Sequence, residues 1–73
     1  KIQLKGRFTI DKKYQNKDIY IAFIEKNVVK IYNHDDAVSV IPENIKNSDS
    51  WIKNDSYSWG KTPKKYDSII KII

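Results

Sequence analysis

The sequence predicts an α+β fold: a small, mainly antiparallel sheet of about three strands, a short helix after a hairpin, and a C-terminal helix. Three observations carry this expectation. Apolar residues at Ile2, Leu4, Phe8 and Ile10 keep strand spacing, with a change of register near Gly6. Two β-prone runs, residues 18–24 and 28–32, flank the short connection Glu25-Lys26-Asn27. Helix-start signals then occur twice, at Asn33-His34-Asp35-Asp36 and at Thr62-Pro63.

Taken in order, the first strand should turn Ile2 and Leu4 into the core and leave Gln3 and Lys5 side by side on the other face. Thr9 or Asp11 can cap a short helical turn over Asp11-Lys12-Lys13-Tyr14, and Gln15-Asn16-Lys17 is turn-like. The run 18–24 is almost continuously apolar or aromatic from Ile19, as in a central strand buried on both faces. Asn27 can take positive φ in the hairpin turn, and Val28 to Tyr32 is the partner strand. Asp35 and Asp36 suit the positive end of a helix dipole, so a short helix is expected over residues 37–41, ended by Pro42. Residues 43–50 read as a loop. Trp51, Tyr57 and Trp59 follow among polar residues, and Gly60 and Pro63 interrupt the chain. A last helix is expected over 64–73, capped by Thr62, with its isoleucines docked on something.

With 73 residues, the chain allows one small domain or part of a larger one. It has no cysteine, so neither disulfide nor thiolate metal site can hold it together, and a single histidine rules out a His-rich zinc site. No apolar run approaches a membrane span and no signal pattern is present, which suggests a cytoplasmic protein. The absence of methionine, together with a start directly in a strand, suggests a segment of a longer protein. The net charge of +5 favours an acidic partner, of which nucleic acid is the commonest.

Gln3 and Lys5 are the candidate catalytic pair. A Gln amide oxygen can ligate a hard cation such as Mg²⁺, and a Lys ammonium can stabilise charge at an attacked phosphate. The plain alternative is a solvated strand face. Arg7, Lys12, Lys13 and Lys17, interleaved with Tyr14, are candidate contacts to a phosphate backbone. Asn33-His34-Asp35-Asp36 reads better as a helix cap, with His34 bonded to backbone or a nearby side chain, than as a metal cluster. Trp51, Tyr57 and Trp59 suit packing better than base stacking.

Gln3-Leu4-Lys5 matches the Q-x-K form of a nuclease signature. With Gly6 to Tyr14, Asp18 to Phe23, His34-Asp35-Asp36, Ser50-Trp51 and Tyr57-Ser58-Trp59 in that order, the chain resembles the C-terminal half of a PD-(D/E)XK nuclease-like domain. The group includes restriction and homing endonucleases. The resemblance implies a restriction-endonuclease-like fold and Mg²⁺-dependent cleavage of DNA, as in restriction-modification or phage-related proteins. Gln3 would then help hold the metal together with an acidic residue not in this chain, and Lys5 would steady the scissile phosphate. The isolated segment is expected to be inactive. Its first strand is expected to pair with missing upstream sequence or with another chain, including a second copy. The alternatives are a non-enzymatic basic nucleic-acid-binding module and a dimerising interaction domain.

Overall fold

The β3–β4 hairpin, Tyr20–Glu25 and Val28–Asn33, is the centre of the molecule. Its loop is only Lys26-Asn27, and both residues have positive φ (53° and 63°), the backbone a tight two-residue hairpin turn needs. A computed structural model describes all residues, 1–73. β1 (Ile2–Lys5) adds to β3 in parallel, and β6 (Ile70–Ile72) adds to β4 antiparallel, giving the order β1-β3-β4-β6. A separate antiparallel pair joins β2 (Thr9–Asp11) to β5 (Ser56–Ser58). The connection from β1 to β3 carries β2 and a 3₁₀ turn, Lys12–Tyr14, in the place where a parallel crossover usually carries a helix.

Three short helices, α1 (His34–Ser39), α2 (Glu43–Lys46) and α3 (Asp49–Asn54), follow β4. Asn33 caps α1 by accepting from the Asp36 N–H, and Ser48 caps α3 by accepting from the Trp51 N–H. The expected start of the first helix is therefore present, but the helix begins at His34 and ends before Pro42. Pro42 instead precedes α2, and the segment expected to be a loop, 43–50, holds α2 and the start of α3.

The register assigns each sheet residue to a face, because paired positions point the same way. Gln3, Ile21 and Tyr32 form one row, and Lys5, Phe23 and Lys30 another; these face the core. Phe8, Ile10, Ile19, Ala37, Ile41, Ile45, Trp51 and Tyr66 close over that side. Phe8 sits at its centre, with the rings of Tyr32, Tyr66, Trp59 and Phe23 between 4.6 and 6.0 Å away.

Two expectations are corrected here. Ile2 and Leu4 do not enter the core: they lie on the outer face, 59% and 81% exposed, while Gln3 and Lys5 are half-buried on the inner one. A strand's own alternation separates its two faces without saying which one the rest of the fold covers. The central strand is likewise not buried on both sides, since Tyr20 and Ile24 are exposed.

The C-terminal helix is also corrected. Lys64–Tyr66 is a single 3₁₀ turn and Ile70–Ile72 is a strand. β-branched isoleucines fit a pleated edge better than a helix, and the free edge of β4 gives their backbone a partner. Thr62 caps nothing; its N–H and hydroxyl both donate to Glu25, each at 2.9 Å. Trp51 is buried, and Tyr57 and Trp59 are half-buried with ring centres 4.7 Å apart. All three have packing roles.

Candidate nucleic-acid interface

Asp11 caps the 3₁₀ turn by accepting from the Lys13 N–H at 2.9 Å, and the turn sets Tyr14 beside the inner face of β1. Lys5 extends its ammonium over the Tyr14 ring, 5.3 Å from the centre. Lys13 reaches the same ring at 5.2 Å. Two cations eight positions apart in sequence thus converge on one aromatic surface, an arrangement worth about 0.5–1 kcal/mol per contact at a water-accessible site. Lys13 also lies 4.0 Å from the Asp11 carboxylate, a distance at which an exposed pair contributes little.

The remaining basic residues separate into two groups. Lys12 turns away: its ammonium is 3.6 Å from Asp55 and 5.2 Å over the Trp51 ring, and its N–H donates to the Asp55 carbonyl. It ties the turn to the end of α3 and is not grouped with Lys5 and Lys13. Arg7 and Lys17 are exposed and form no ion pair within the chain.

His34 holds this region from beneath. It is fully buried, its Nε2 accepts from the Asp11 N–H at 2.9 Å, and its ring meets Tyr14 edge-on at 5.5 Å. An Nε2 that accepts carries no proton, so the proton of the neutral ring is on Nδ1, which has no partner. Burial pushes the His34 pKa below its ordinary value, against the opposing charges of Asp35 and Asp11. The cap reading of the Asn33–Asp36 stretch accounts for these bonds. Nothing in the residues around either one signals the pairing of His34 with Asp11, because the two meet only in the folded chain.

Acid should therefore weaken the fold in two stages. A depressed His34 pKa means the unfolded chain takes up the proton first, so the stabilisation is complete above pH 6.5 and falls as pH drops below it. Glu25 is lowered to about 2, first by its bond from Lys30 and then by those from Thr62. Its contribution is complete above pH 4.5 and is lost as pH falls towards 2. The urea midpoint, followed from pH 8 to 3, should fall first near 6.5 and again below 4.5. In His34→Phe the first fall should be absent; if it persists, His34 is not its source.

Gln3 supplies one neutral amide oxygen, and no group of three or more His, Asp or Glu side chains is placed to hold a metal ion. No helix is long and apolar enough to cross a membrane. Comparisons with protein-family models, curated proteins and solved structures find no match for this chain.

Proposed function

We propose that this chain binds DNA through its phosphate backbone, using Lys5 and Lys13 at the Tyr14 ring together with the exposed Arg7 and Lys17. The convergence of the Lys5 and Lys13 ammoniums on that ring supports the reading. Lys5 has no carboxylate partner, so a phosphate oxygen would meet an unpaired cation. Contact with the Tyr14 ring restrains both stems, which lowers the entropy lost when they close on a ligand. Contacts of this kind give affinity and register without reading sequence.

A nuclease-like parent is the second reading, favoured by one observation: Gln3 and Lys5 share the inner face and are half-buried there. In that reading the segment supplies the DNA grip, and no hydrolytic step is assigned to its own residues.

The test is fluorescence anisotropy of a labelled duplex between 25 and 200 mM salt. Binding should weaken steeply with salt, and the double variant Lys5→Gln/Lys13→Gln should reduce the log–log slope by about 2, one for each phosphate that is no longer neutralised. Lys64→Gln/Lys65→Gln removes the same charge elsewhere and should leave the slope nearly unchanged. No binding at 25 mM, or equal losses in the two double variants, would overturn the proposal.

A further inference from the structure

The outer face of the sheet is apolar and uncovered. Ile2, Leu4, Tyr20, Ile24 and Val29 are all exposed on it, and register adds Ile31 and, beyond β6, Ile73. Ala22 lies at its middle, 5% exposed because its taller neighbours surround it. Every helix lies with the core on the other side. A four-stranded sheet with one face on a core normally alternates apolar and polar residues. Here β3 does not: Ile21, Ala22, Phe23 and Ile24 are apolar on both faces, the pattern of a sheet covered on both sides.

We propose that this face is the interface of a homodimer, in which Leu4 of each copy seats in a depression over Ala22 of the other. Three features select a second copy as the occupant. The first is area. The exposed Ile2, Leu4, Tyr20, Ile24, Val29 and Ile73 side chains present on the order of 600 Å², near the ~800 Å² each partner contributes to a standard interface.

The second is charge. Lys71, at the rim, is the only charged residue the register places on this face, although the chain as a whole carries +5. Two copies can therefore approach face to face without bringing their cations together. An anionic partner would find only Lys71 there to pair with. The Lys5 ammonium is held over Tyr14 on the opposite face, so it adds no charge to this one.

The third is relief. Leu4 is the most prominent side chain of the face, 81% exposed. Beside it is a depression of about 270 Å³ lined by Leu4, Ala22, Ile24, Val29 and parts of Lys5 and Phe23. A two-fold pairing matches a patch with itself, so a face with both a projection and a recess can fill both at once. Two such sheets would stack about 10 Å apart with their strands roughly aligned.

The experiment is sedimentation equilibrium of the full 73-residue chain from 5 to 500 µM. The mass should rise from 8.6 kDa towards twice that value. Leu4→Glu should raise the dissociation constant at least 100-fold, and Ile24→Lys should do the same from a second position. Both residues are exposed in the single copy, so far-UV circular dichroism of either variant should match the parent. Lys71→Glu, at the rim, should shift the constant only a few-fold. A constant mass of 8.6 kDa to 500 µM would overturn the proposal. So would an assembly that survives Leu4→Glu and Ile24→Lys with their fold intact, since that would place association elsewhere, such as the open edge of β1.

Discussion

Phe8→Ala is expected to remove a large share of the protein's stability. Phe8 is fully buried and lies between Tyr32, Tyr66, Trp59 and Phe23, so it joins the sheet to both the β2–β5 pair and the C-terminal turn. Truncating a buried Phe costs about 3–5 kcal/mol. A domain of this length has a total stability of only about 4–11 kcal/mol. Thermal melting should shift down by at least ~12 °C, at about 4 °C or more per kcal/mol for so small a chain. A shift under ~5 °C would mean that the neighbouring rings collapse into the space, and that Phe8 does not hold the layers together.

The two buried tyrosines should respond in opposite ways to losing a hydroxyl. Tyr32 bonds one residue twice: its oxygen accepts from the Thr9 N–H at 3.0 Å and its O–H donates to the Thr9 carbonyl. Burial pushes its pKa up, which keeps the donor protonated. Tyr32→Phe leaves a buried N–H and a buried C=O unpaired, at about 2–4 kcal/mol for the two. The Tyr66 hydroxyl is also buried but has no partner. Tyr66→Phe therefore removes a desolvated group that gains nothing in return, and should be neutral or slightly stabilising. Urea midpoints of the two variants check this directly. Equal losses would show that the hydroxyls matter for packing alone.

Much of the fold could be read from local pattern. The β3–β4 hairpin, the Asn33 cap and the Asp11 cap all depend on residues close in sequence. What could not be read depended on partners far along the chain. Ile2-Gln3-Leu4-Lys5 alternates clearly, yet which side faces the core follows from its pairing with β3, which sets Gln3 beside Ile21 and Lys5 beside Phe23. Thr62-Pro63 looks like a helix start, but Glu25 takes both Thr62 donors, and the open edge of β4 takes the isoleucines as a strand. α2 and α3 are too short to show a 3.6-residue period, although Ser48 and Asp49 do carry a start signal. The candidate interface was half legible: its basic residues stood out by charge, while their sorting by Tyr14, Trp51 and Asp55 needed tertiary contacts.

The strand order has a consequence for how the molecule comes together. The two middle strands are sequence neighbours joined by two residues, whereas the outer strands are the first and last of the chain. The hairpin can close within microseconds on its own. β1 must wait for the whole 3₁₀-bearing crossover to be laid over the hairpin, and β6 for three helices and the β2–β5 pair to fall into place. Assembly therefore proceeds from the middle outward, and both termini are fastened last. The same order in reverse makes the terminal strands the first to detach, so amide protons of β1 and β6 should exchange with solvent well before those of Ile21 and Phe23.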